Sequence, residues 1–104
     1  MALVVVATLV PVPEYRDDVI AALETAITKT HPAEEGVLLY ALHEGKDGRL
    51  VMIEKYADDA AFAAHGKSPA LAELGAAVKG KLSAPMDVQV LTPHPAGSAD
   101  KGTL

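Results

Sequence analysis

The chain has no cysteine and no tryptophan, and it carries only three tyrosines and one phenylalanine among 104 residues. Without thiols there is no disulfide framework, no thiolate nucleophile and no sulfur-based zinc or iron–sulfur site. Basic residues are also scarce: nine scattered Lys and Arg against fourteen Asp and Glu leave a net charge of -5. Such a surface displaces no counterions from a phosphate backbone, which excludes nucleic acid as the expected partner. Long apolar runs are missing too. The stretch from Ala2 to Pro13 is too short to span a bilayer, and no Lys or Arg precedes it as in a secretion signal. The expectation is a soluble, cytoplasmic protein with no membrane partner. The four histidines, His31, His43, His65 and His94, share no ligand-like spacing, so no metal is expected. Residues 75–81, GAAVKGK, nearly spell a phosphate loop, but Leu82 stands where a hydroxyl is needed and the segment ends a helical pattern.

What is present is half apolar, enough for one core in one domain over residues 1–94, followed by residues 95–104, PAGSADKGTL, as a flexible tail without periodicity. Leu3 to Val12 is apolar on both alternating sets apart from Thr8, the pattern of a central strand. From Pro13 to about Thr30 the period becomes helical, with Val19, Ile20, Leu23, Ala26 and Ile27 on one stripe and Pro32 as the breaker. Val37 to Glu44 and Arg49 to Tyr56 then flank Gly45, Lys46, Asp47 and Gly48, a hairpin with turn residues at its tip. With those four residues as the loop, Leu38, Tyr40 and Leu42 share a face with Val51 and Ile53. Val37, Leu39, Ala41 and His43 then lie with Leu50, Met52, Glu54 and Tyr56, a pairing that a bulge would alter.

Asp58 or Asp59 caps a short helix over Ala60 to His65, on which Phe62 and His65 point the same way. Ser68 and Pro69 open another helix with the stripe Leu71, Leu74, Val78 and Leu82, and Met86 to Thr92 alternates as a last strand. The order is βαββαβ, with the second helical segment in two pieces. It predicts an α+β ferredoxin-like sandwich with an antiparallel sheet. Both sets of hairpin positions are apolar, so helices cover one face and a second copy of the sheet is the simplest cover for the other.

The segments GVLLYALHE and VMIEKYADDAAFAAHGKSPA resemble the antibiotic biosynthesis monooxygenase family: a Gly with Tyr four residues on, an acidic and aromatic strand end, and a helix ending in His before Ser-Pro. The resemblance implies a homodimeric α+β barrel with sheets packed face to face. It also implies oxidation of a hydroquinone or polyphenolic, polyketide-like aromatic substrate by O2 with no cofactor. Haem-degrading relatives carry Trp at the place of His65 and an iron-binding His near Gly75, and this chain has neither.

On that reading His65 is the catalytic base, since an imidazole can take a phenolic proton at neutral pH. The alternative is a helix-end histidine satisfied by a carbonyl. Glu54, inside an apolar strand, either pairs with a cation or acts beside His65. Tyr40, Tyr56, Phe62 and Thr8 are the expected substrate-binding residues, with core packing as the alternative for the tyrosines. Two other functions fit the same fold: an isomerase of a small dicarbonyl metabolite with His65 as proton carrier, and a non-catalytic, stress-related dimer that binds a small ligand.

Overall fold

The structure is a computed structural model that describes residues 1–104. Its elements in chain order are β1 (Leu3–Leu9), a single 3-10 turn (Pro13–Tyr15), α1 (Arg16–Ala33), β2 (Val37–Glu44), β3 (Leu50–Tyr56), α2 (Asp59–Gly66), α3 (Pro69–Val78) and β4 (Asp87–Leu91). The four strands form one antiparallel sheet in the order β2-β3-β1-β4, and helices cover one face. This is the ferredoxin-like α+β architecture that the element order predicts, with β1 central.

Local chemistry explains the boundaries. Asp17 and Asp18 lie in the first turn of α1, where backbone N–H groups are unpaired and the helix dipole favours negative charge. Val19, Leu23, Ala26 and Thr30 form its buried stripe, at spacings of three and four residues. Pro32 does not break this helix. It sits in the last turn, and the helix continues to Ala33, where the Glu34 N–H donates to the Thr30 carbonyl at 3.1 Å. Asp58 caps α2 by accepting from the Ala61 N–H at 2.8 Å, and Ser68 caps α3 by accepting from the Leu71 N–H at 3.1 Å. Each cap contributes about 1 kcal/mol.

The core lies between the helices and the inner sheet face. Leu9, Leu23, Leu50 and Met52 are almost wholly buried there, each contributing roughly 1.5–3 kcal/mol by leaving water. On β3 the burial alternates strictly, with Leu50, Met52, Glu54 and Tyr56 inside and Val51, Ile53 and Lys55 on the open face. Leu82 departs from the expected helical stripe: α3 ends at Val78, and Leu82 pairs with Pro11 as an isolated bridge beyond the end of β1.

The hairpin register corrects the sequence reading. Glu44 pairs with Leu50, so Arg49 belongs to a five-residue loop closed by the Gly45 N–H donating to the Arg49 carbonyl at 2.8 Å. That one-residue difference moves Leu39, Tyr40, Ala41, Leu42 and His43 to the other face relative to β3, while Val37 stays opposite Tyr56 as expected. Tyr40 therefore lies beside Glu54 and Leu42 beside Met52 on the inner face, while Leu39, Ala41 and His43 lie with Lys55, Ile53 and Val51 on the open one. A bulge between Val37 and Leu39 takes up the extra residue, leaving Leu38 exposed. After β4 the chain turns at residues 98–102, and the Leu104 carbonyl oxygen accepts from Lys55 Nζ at 2.7 Å.

Candidate active site

The inner face holds a cavity of about 360 Å³ between the sheet and α1, α2 and α3. Its walls are apolar: Val5, Ala7 and Leu9 from β1, Met52 from β3 and Val88 from β4 below, with Leu23, Phe62, Leu71 and Leu74 above and around. Among the lining residues three carry polar groups with free valence, namely Tyr40, Glu54 and His65. A dry slot with a few placed polar groups is the usual form of a small-molecule site.

His65 is delivered by α2. The helix is short and fixed at its start by the Asp58 cap, and the Ser68 N–H donates to the His65 carbonyl at 3.0 Å as the chain turns into α3. The imidazole is buried and wedged against two rings, edge-on to Tyr40 at 5.1 Å between centroids and tilted against Tyr56 at 5.4 Å. Its Nδ1 lies 2.9 Å from Oε1 of Glu34. A carboxylate only accepts, so in the neutral ring the hydrogen sits on Nδ1 and Nε2 keeps the lone pair. Nε2 has no protein partner. The ring's partner is an acid and not the carbonyl of the alternative reading.

Glu54 is forced inward by the two-residue period of β3, between Val5 of β1 and Tyr40 of β2. It meets no Lys or Arg. The Tyr56 hydroxyl, two residues along the same face, donates to its Oε1 at 2.5 Å. Burial pushes the Glu54 pKa up and outweighs the lowering by the Tyr56 hydrogen bond and the nearby His65. Burial also raises Tyr40 and Tyr56, and the neighbouring carboxylates of Glu54 and Glu34 add to it, with the Glu54 hydrogen bond adding further at Tyr56. Both phenols therefore stay protonated, and Tyr56 donates to Glu54.

Of the residues singled out from sequence, His65, Glu54, Tyr40 and Phe62 come together around the cavity. Two do not line it. Tyr56 stands behind Glu54, packed on Phe62 at 5.1 Å, and acts on the site through the Glu54 hydrogen bond. Thr8 pairs with Val51 and Asp87 on the open face, because side chains alternate along β1 and Ala7 and Leu9 take the inner positions. The expectation that Thr8 contacts substrate is corrected accordingly. No group of three or more His, Cys, Asp or Glu side chains is placed to hold a metal ion.

Glu34 escaped the sequence reading, since it lies 31 residues from His65. A signal was present. Glu34 and Glu35 follow the last turn of α1, where the helix dipole disfavours acids, and a residue that breaks a local rule marks a place where another demand wins. Gly36 makes the approach possible. A Cβ there would stand 2.4 Å from the Ala61 Cβ, so only glycine lets α2 pack this closely against the chain entering β2.

The class that these features define is a small ferredoxin-like domain with an acid-held histidine beside an apolar cavity. Comparison with known proteins is consistent with that class. Residues 2–77 match the model of the antibiotic biosynthesis monooxygenase family, and the chain belongs to that family. It is 38% identical over 96 residues to Rv0793 of Mycobacterium tuberculosis, a protein named as a candidate monooxygenase, covering 91% of this chain and 94% of that one. YcnE of Bacillus subtilis, named likewise, is 35% identical over 78 residues, covering 73% of this chain and 81% of its own. The solved structure of Rv0793 superposes with a TM-score of 0.86, covering 94% of this chain and all of the other. A Caulobacter crescentus structure described as a candidate antibiotic biosynthesis monooxygenase gives a TM-score of 0.82 at 26% identity, covering 86% of this chain and 87% of that one.

Proposed function

We propose that this monooxygenase-family protein oxidises a hydroquinone or polyphenolic aromatic substrate with O2, and that the substrate itself supplies the electrons. The observation that carries this reading is the His65 imidazole, with Nδ1 committed to Glu34 and Nε2 left for a phenolic proton in an apolar cavity. Removing that proton gives an electron-rich phenolate. It passes one electron to O2, and the radical pair joins at a ring carbon to form a peroxide. Protonation, loss of the ring hydrogen and O–O cleavage then give the quinone carbonyl and one water. His65 takes the first proton and returns it to the departing oxygen, Tyr40 donates to the substrate oxygen, and Phe62 packs on the ring. The apolar walls strengthen each of these interactions by excluding water.

Eleven of the fifteen lining residues are hydrophobic, which favours a planar aromatic over a small dicarbonyl metabolite needing many hydrogen bonds. The protein works in this reading as a homodimer joined through the open sheet face, where Val4, Val6, Leu39, Val51 and Ile53 lie.

Oxygen uptake with a panel of chemically reduced quinols and polyphenols tests the proposal. Uptake well above autoxidation without added flavin or metal, falling by about 10²–10⁴ in His65→Ala, is expected for loss of a general base. Uptake at the autoxidation rate across the panel overturns it.

A further inference from the structure

The site has a second side. Glu34 belongs to the floor of a separate surface groove of about 480 Å³ that includes Glu35, Gly36, Ala61 and Ala64 and shares none of the residues that line the cavity. His65 lines the cavity and does not line the groove, whereas Glu34 lines the groove and does not line the cavity. The two spaces are linked through side chains by the 2.9 Å hydrogen bond from His65 Nδ1 to Glu34, whose side chains are 4% and 17% exposed.

We infer that His65 and Glu34 form a two-sided proton relay, which lets a proton cross between the apolar cavity and groove water without passing through the cavity mouth. The inference rests on the proposed base role of His65 and adds a route for the proton. Outbound, the substrate hydroxyl proton bonds to Nε2, the Nδ1 proton passes to Glu34, and Glu34 releases it to water, leaving a neutral ring with its hydrogen on Nε2. Inbound, water reprotonates Glu34, Glu34 returns a proton to Nδ1, and the Nε2 hydrogen goes to the departing oxygen. Each passage leaves the charge of the dyad unchanged, and the pair of passages restores the starting tautomer without turning the ring. Turning would be opposed by Tyr40 and Tyr56, which pack against the imidazole. The other titratable groups around the relay are the Tyr40, Glu54 and Tyr56 side chains from the strands and Glu35 beside it in the groove.

Glu34→Gln separates holding from carrying, because the amide oxygen still accepts from Nδ1 but takes no proton. The experiment follows solvent exchange of the His65 Nδ1 hydrogen by NMR in protein labelled with 15N-histidine, with no substrate present. Exchange at least about tenfold slower in Glu34→Gln, with the tautomer kept, normal exchange in Glu35→Gln, and recovery on adding formate, is the expected result. Exchange at the wild-type rate overturns the relay. So does slowing that formate does not relieve, which reduces Glu34 to a hydrogen-bond partner. So does equal slowing in Glu35→Gln, which assigns the effect to groove charge. In turnover the Glu34→Gln variant loses kcat with KM little changed. Failure of the wild type to oxidise any quinol or phenol would sink the proposed reaction, while the substrate-free exchange measurement still decides the relay.

Discussion

Met52 and Ile53 are adjacent on β3, both apolar and of similar size, and they face opposite worlds. Met52 lies in the closed inner layer, 1% exposed, under the helices and against the cavity. Ile53 lies on the open face with Val6 and Ala41 as its cross-strand neighbours. The inner face is where the polar exceptions sit: Tyr40, Glu54, Tyr56 and the His65 ring pressed against them. The open face carries Val4, Val6, Leu39, Val51 and Ile53 with Thr8, His43, Lys55, Asp87 and Gln89 among them. One face is completed by the chain's own helices and gathers its polar groups around the cavity, while the other has polar residues scattered among apolar ones and no helix over it.

Putting a charge at each of the two positions breaks the comparison most severely. Met52→Asp buries an unpaired carboxylate and is expected to lose more than about 4 kcal/mol, a large part of a small domain's stability. A thermal melt followed by circular dichroism should show no cooperative transition, or one far below wild type. If the proposed homodimer is joined through this face, Ile53→Asp is expected to leave the fold intact and shift the protein from dimer to monomer in sedimentation velocity. A variant that sediments as wild type does would remove the open face as the interface.

A finer probe is pH. The Glu54 pKa is raised in the folded state, so the native protein keeps a proton that the unfolded chain releases. Stability from this group is present below the ordinary carboxyl pKa of 4.5 and is lost as pH rises through the raised value. Glu54→Gln should abolish that decline in a series of melting temperatures from about pH 4 to about pH 8. Tyr56→Phe removes a hydrogen bond that lowers the Glu54 pKa and should carry the decline to higher pH. The smallest effect is expected at Arg16→Ala. Its ion pair with Glu44 at 2.8 Å has partners 32% and 61% exposed, and its loss should cost less than about 1 kcal/mol in denaturant unfolding.

The elements were legible in the sequence because their signals are local. Asp58 and Ser68 mark helix starts through bonds to residues three positions away, and Pro69 marks one by fitting the first helical position, whereas the strict in-out alternation of β3 is visible only in its burial. His65 and Phe62 could be placed together because helical spacing is a local rule. The β2 faces were not legible, because register depends on whether Arg49 belongs to loop or strand and on the bulge at Leu38. Both are settled by cross-strand bonding that composition does not encode. Thr8 followed from the same difficulty, since an apolar run on both sides of a central strand gives no sign of which set points inward. Glu34 needed a contact across 31 residues, which the local periods do not report.

Gly36 gives the molecule an uneven tolerance to redesign. Val88 forms part of the cavity wall on an edge strand where it is already 49% exposed, so a larger or smaller side chain there can reshape the slot with little resistance from neighbours. At position 36 any side chain would press on Ala61 and push α2 outward as a unit, and His65 rides on that helix one turn further on. A shift of about 1 Å at a reacting group can cost ~10²-fold in rate. The single hydrogen atom that replaces a side chain at residue 36 acts as the spacer that sets how far His65 stands from whatever enters the cavity.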